Sequence, residues 1–237
     1  MTTRPPGSVG RVHPIERLRA VARAREVDQS LLASEATSVL GAFAGDPLGL
    51  VTACRRLVER HPSAGALWWS FARLLDAAEV RAESHAVRRD LEGVPAATSL
   101  NLDLPDGAVV AILPDVAGGS ELGEDLCGWR DDLVVAHDPG ALHVDRDEPR
   151  ILLVEAGAAG PDRFLAPAGA GDEIAAAKDA GVAVWLVVDV GRRLPRPLFE
   201  ALVRRSPPEL EVLAVSEAER VVEPRRIACP VPPELLR

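Results

Sequence analysis

Tyrosine is absent from this chain, and lysine and methionine occur once each, at Lys178 and Met1. The 27 basic residues are therefore almost all arginine, which with the many alanines reads as the coding bias of a high-G+C genome. Cysteine is nearly as scarce. Cys54, Cys127 and Cys229 stand far apart without a CxxC pair, so no disulfide framework is offered, and a sparse, odd set suits a reducing cytosol. The five histidines show no ligand spacing with cysteines or carboxylates, so neither a metal nor a cofactor is expected. No apolar run reaches the ~18 residues of a membrane span, and Met1 to Val12 has no apolar core of the kind a secretory signal needs. Positive charge is lacking as well: a net charge of −9 speaks against general nucleic-acid binding. The expectation is a soluble, cytoplasmic protein with no membrane and no nucleic-acid partner.

What is present is periodicity, and it changes part-way along the chain. Residues 1–12 read as a flexible tail, and residues 13–93 as a helical domain. Pro14 suits a first helical position, with Ile15, Leu18 and Ala22 on one face. Asp28 is placed to cap the next helix, and Asp46-Pro47 to start another carrying Leu50, Cys54, Leu57 and Val58. Pro62-Ser63 opens a helix with Leu67, Trp68, Phe71 and Leu74 on its buried side, and a polar helix spans about Val80 to Leu91. Short gaps imply a bundle. Residues 94–222 instead show short apolar runs at Gly107–Leu113, Leu133–Ala136, Ile151–Val154, Val182–Val188 and Leu210–Val215. Helix candidates lie between them at Ser120–Cys127, Gly171–Ala180 and Pro197–Arg205. This alternation predicts an α/β fold: a helical bundle followed by a Rossmann-like, mainly parallel sheet. Residues 223–237, rich in proline, read as an extended tail.

Ligands of open parallel sheets sit beyond the carboxyl ends of the strands. The residues that follow the predicted strands are therefore the candidate ligand-binding set: Asp115, Gly118, Gly119 and Ser120; His137; Glu155; Asp189 and Arg192. Each has a plainer reading. Gly118-Gly119-Ser120 either offers backbone N–H groups to an anion or forms a turn and helix cap, and the surrounding Asp115, Glu121, Glu124 and Asp125 would repel phosphate. His137 beside Asp138 is a base with its orienting carboxylate only if two adjacent strand-end residues point the same way. Arg192 and Arg193 either clamp an anion or lie in a solvated loop, and Asp189 is a ligand or a turn cap. There is no GxGxxG fingerprint, P-loop or HExxH. Adjacent helix residues diverge by about 100°, so Trp68 and Trp69 are both buried only under two surfaces. Trp69 is thus an interface candidate, facing either the α/β half or a second subunit.

The stretch ILLVEAGAAGPDRFLAPAGAGDEIAAAKDAGVAVWLVVDVGRR (Ile151 to Arg193) resembles the C-terminal domain of the initiation-factor-2B regulatory subunits and two enzyme relatives. Those are methylthioribose-1-phosphate isomerase and ribose-1,5-bisphosphate isomerase. In this family a strand ends in "VGAD", a glycine-containing hairpin follows, and a helix like IAAAKDAGV leads to a strand like VWLVV. LPDGAVVAILPDVAGGSEL (Leu104 to Leu122) is similar to the family's earlier strand and glycine loop. HPIERLR and LVERHPSAGALWW resemble a second family, one of high-G+C bacteria. The isomerases' catalytic cysteine would fall at Pro114, Asp115 and Val116, and their catalytic aspartate at Gly157; their lysine–glycine pair is replaced near Ala168-Gly169. The resemblance thus implies the scaffold without its isomerase machinery. It points to a non-catalytic binding or regulatory protein that senses a small anionic metabolite or works as a homodimer or with a protein partner. The alternative is an isomerase-like enzyme of changed chemistry, using carboxylates at the strand ends.

Overall fold

The computed structural model describes residues 14–23, 28–93, 95–116, 122–136, 140, 142, 148–224 and 226–236. Gly118, Gly119, Ser120 and His137 lie outside the described residues, as does Asp138.

Five helices come first: α1 (Pro14–Val21), α2 (Gln29–Leu40), α3 (Pro47–Arg60), α4 (Gly65–Asp76) and α5 (Val80–Leu91). Their starts follow the capping chemistry. Asp28 Oδ1 accepts from the backbone N–H groups of Ser30 and Leu31, and Asp46 Oδ1 from that of Gly49, with Pro47 in the first turn of α3. Pro62-Ser63 forms a turn, and α4 begins only at Gly65. The periodicity misses α6 (Ala96–Asp103), whose apolar stripe is short: only Ala96, Ala97 and Leu100 are buried.

The α/β part then runs β1 (Val109–Leu113), α7 (Leu122–Trp129), β2 (Val134–Ala136), β3 (Arg150–Glu155), β4 (Ala158–Ala159), β5 (Arg163–Ala166), α8 (Ala170–Asp179), β6 (Ala183–Val187), α9 (Arg196–Val203), β7 (Glu211–Ala214) and β8 (Arg220–Val222). Strands β2-β1-β3-β6-β8 form one sheet in that order, every pair parallel. The predicted run at Leu210–Val215 becomes β7, but it joins β4 and β5 in a separate antiparallel sheet. The fifth strand of the main sheet is β8, too short to stand out in the sequence. The tail is also not wholly extended: it ends in α10 (Pro233–Leu236), where Leu235 is buried against the core.

The helices and the α/β part share one apolar core. Leu67, Trp68, Phe71 and Leu74 pack in one cluster with Leu165, Leu198, Phe199 and Leu202. Trp68 lies beneath the Arg205 guanidinium, 5.3 Å from the ring centroid. Trp69, 1% exposed, faces the turn that follows β6, where a Cβ on Gly191 would stand 3.0 Å from its ring. The α/β part of the same chain thus covers one side of each tryptophan, and Arg73 of α4 lies over the Trp69 ring, 4.7 Å from its centroid.

Candidate functional site

In the main sheet the chain leaves β1 toward β2 on one side and returns to β3 on the other. The switch point of this topology therefore lies between β1 and β3, the place where such sheets open a crevice. Asp115 stands two residues beyond β1, Glu155 ends β3, and Asp189 and Arg192 follow β6. All four converge there.

Arg192 sits at the centre. It is 1% exposed, and its carboxylate neighbours Asp115 and Glu155 are 3% and 5% exposed. Its Nη1 lies 2.9 Å from Asp115 Oδ2 and 3.9 Å from Glu155 Oε1, and donates to the Ala156 carbonyl at 3.2 Å. Its Nη2 lies 3.4 Å from Asp28 Oδ2, so the residue that caps α2 also reaches into the crevice. Burial alone would lower the pKa of this guanidinium, but the charges of Asp115, Glu155, Asp189 and Asp28 outweigh it and hold the pKa above its ordinary value. The loop reading of Arg192 as a solvated side chain therefore fails: neighbours at the strand ends and at α2 bury it.

The helical part closes over the same spot. Gln29 Nε2 donates to Asp115 Oδ2 at 3.0 Å, and Gln29 Oε1 accepts from the Ala66 N–H at 3.4 Å. Gly65, the first residue of α4, donates its N–H to the Gly157 carbonyl at 3.1 Å. A Cβ at Gly65 would come within 2.7 Å of that carbonyl oxygen, so only glycine lets the helix seat so closely. Gly157 is crowded on its other side. A Cβ there would stand 2.7 Å from Val116 Cγ2 and 3.3 Å from Cγ1. The position that the resemblance assigns to the isomerases' aspartate is thus filled by a valine from the loop that it assigns to their cysteine.

What stays open is a cavity of about 230 Å3 beside this plug, bordered by Asp28, Asp125, Glu155, Asp189, Arg192 and the start of α6. Asp189 Oδ1 accepts from the Val190 and Ala96 N–H groups, so it caps both its own turn and α6. It does so while lining the cavity. Asp125 was not among the predicted site residues; it projects from α7, and no strand end announces it. Partial burial, followed by the charges of Asp189, Asp28 and Glu124, raises its pKa above the usual aspartate range. A larger hollow of about 520 Å3 lies between α1 and α3, away from the strand ends. Among the described residues no group of histidine, cysteine and carboxylate side chains is arranged to hold a metal ion.

No protein-family model and no curated protein matches the sequence. Solved structures do match by shape. The translation initiation factor eIF-2B of Pyrococcus horikoshii OT3 superposes with a TM-score of 0.64 at 12% identity, over 88% of this chain and 94% of that one. The chain has the eIF2B fold. A tetrameric eIF2B-beta2-delta2 complex from C. thermophilum follows at TM-score 0.60 and 14% identity, over 88% of each chain. The 5-methylthioribose 1-phosphate isomerase of P. horikoshii OT3 matches at 0.52 and 11%, over 88% of this chain and 82% of that one. One fold therefore serves a subunit of a multi-chain complex and an enzyme. No described helix is long and apolar enough to cross a membrane.

Proposed function

We propose that this chain is a non-catalytic binding or regulatory protein of the cytoplasm, built on the eIF2B fold and acting as a homodimer or with a protein partner. The observation that carries this reading is the contact between Val116 and Gly157. An isomerase needs a group to move a proton or hydride and a cradle for phosphate. Here the space for one such group is filled by a methyl, while Asp115 and Glu155 are engaged by Arg192. Those two buried carboxylates are what favours the second reading, an enzyme of changed chemistry, since both approach one point at the switch of the sheet. Their ion pairs speak for a structural role.

The ligand chemistry follows from charge. Asp28, Asp125, Glu155 and Asp189 border the cavity against Arg192 alone, and Arg192 is balanced from within. This supports a small hydroxyl-rich or cationic ligand over the anionic metabolite that the sequence suggests, because an added phosphate would meet four carboxylates and one guanidinium. The test is a thermal-shift panel of sugars, polyamines and sugar phosphates, run beside an isomerase assay on methylthioribose 1-phosphate and ribose 1,5-bisphosphate. A ligand at 100 times its Kd adds about 2.7 kcal/mol, several degrees for a chain of this length. A shift from a sugar or polyamine that Asp189→Asn removes, with no turnover, supports the proposal. Turnover that disappears in Asp115→Asn or Glu155→Gln overturns it.

A further inference from the structure

A further cavity, at the opposite end of α2 from the crevice, has the opposite character. It measures about 220 Å3 and lies where the end of α2 meets α5. Arg81, His85 and Arg88 line it, spaced four and three residues apart, so they share one face of α5. Ser38 and Ser84 add hydroxyls, and no carboxylate is among its lining residues. In a chain with a net charge of −9 this is a local reversal of sign.

The three side chains are not equally engaged. Arg88 Nη2 pairs with Glu92 at 3.0 Å, and its Nε reaches Ser34 Oγ at 3.4 Å. Ser84 is buried and donates to the Arg81 carbonyl at 2.8 Å. By contrast, the side chains of Arg81, His85 and Ser38 have no hydrogen-bond or ion-pair partner among the described residues, and Arg81 and His85 are exposed. The floor is built for close approach. Gly41 is buried, and a Cβ on it would stand 2.6 Å from Ser84 Oγ. The end of α2 and α5 are therefore drawn together beneath Arg81, His85 and Ser38.

We propose that this cavity is a binding site for a small phosphate monoester. A guanidinium fork, an imidazole and a hydroxyl lining one concave space suit the three terminal oxygens of such a group, and the partly engaged Arg88 adds charge. The cavity leaves room for a small organic body beyond the phosphoryl group. The plainer role for the two arginines is to offset the partial negative charge at the end of α2. The two roles differ in what phosphate does.

The test uses the full chain and inorganic phosphate as the probe. Melting temperatures are measured in phosphate and in chloride at equal ionic strength, for the wild type and for an Arg81→Gln/His85→Gln variant. Phosphate also stabilises proteins generally, by exclusion from their surfaces, so the quantity of interest is the difference between the two proteins. A phosphate at about ten times its Kd should raise the wild-type melting temperature by roughly 3–6 °C, and most of that rise should vanish in the variant. An equal rise in both proteins, or none in either, overturns the proposal. So does a variant that melts lower in chloride yet keeps its phosphate response, because these side chains then serve the helix end.

Discussion

Replacing Gly157 by alanine is the sharpest test of the plugged crevice. The backbone itself tolerates the change, since Gly157 is not among the glycines with positive φ. The cost comes from one contact: the new methyl would lie 2.7 Å from Val116 Cγ2. Valine has little freedom to turn away, because two heavy atoms on its Cβ restrict χ1. Overpacking of this kind costs about 1–3 kcal/mol, and the stiffer unfolded chain of an alanine variant returns about 0.4–1 kcal/mol. The net is a loss of about 1–2 kcal/mol, or a melting temperature lower by roughly 2–8 °C. Val116→Ala alone should cost about 1 kcal/mol, the value of trimming a half-buried side chain. In that background Gly157→Ala should become neutral or stabilising, so urea denaturation of the four proteins should show a coupling of about 1–2 kcal/mol. Effects that add to within about 0.5 kcal/mol would mean that the two residues do not meet, and the account of the filled position would fall with them.

Four further outcomes are expected. Arg192→Met should destabilise by about 3–5 kcal/mol in chemical denaturation, because it leaves Asp115 and Glu155 buried without their counter-charge. Gly191→Ala should lower the melting temperature, since Gly191 has φ of 77° and an added Cβ would stand 3.0 Å from the Trp69 ring. Asp125→Asn should stabilise at neutral pH. The folded carboxyl has its pKa raised by burial and by Asp189, Asp28 and Glu124, so its ionised form weakens the fold, and the gain should shrink as melting is measured at pH falling through the raised pKa. A thiol reagent should modify exposed Cys127 in the native protein, while Cys54 should react only on unfolding and Cys229 slowly, its pKa pushed up by burial to about 12.

The α/β order and the helical lead were legible because they rest on period and capping, which are local. Asp28, Asp46 and Pro47 mark helix starts, and the run from Val182 to Val188 marks a central strand, without reference to the rest of the chain. The misses have local causes as well. β8 has three residues and α6 a narrow apolar face, so neither rises above its surroundings. The partition of strands between two sheets is a tertiary outcome: β7 reads like a core strand, yet pairs antiparallel with β5. At the crevice, the rule of strand ends brought Asp115, Glu155, Asp189 and Arg192 into view together. It gave no sign that Asp28 and Gln29 would arrive from a helix and engage Arg192 and Asp115, since no sequence spacing links position 28 to position 192. Asp125 escaped for the same reason.

The buried arginine also bears on the order in which the chain can consolidate. Its partners come from α2, from the end of β1 and from the end of β3, the first of them 164 residues earlier. As the chain is synthesised, Asp28, Asp115 and Glu155 all emerge ahead of the one charge that makes their burial tolerable. The opening helices can form at once, since their caps are local, but they cannot settle onto the strand ends until position 192 is available. The usual sequence, in which an N-terminal unit finishes folding before the rest appears, is therefore reversed at this contact. The first residues made wait for one of the last, and a chain cut short of Arg192 loses the closure of its beginning together with its end.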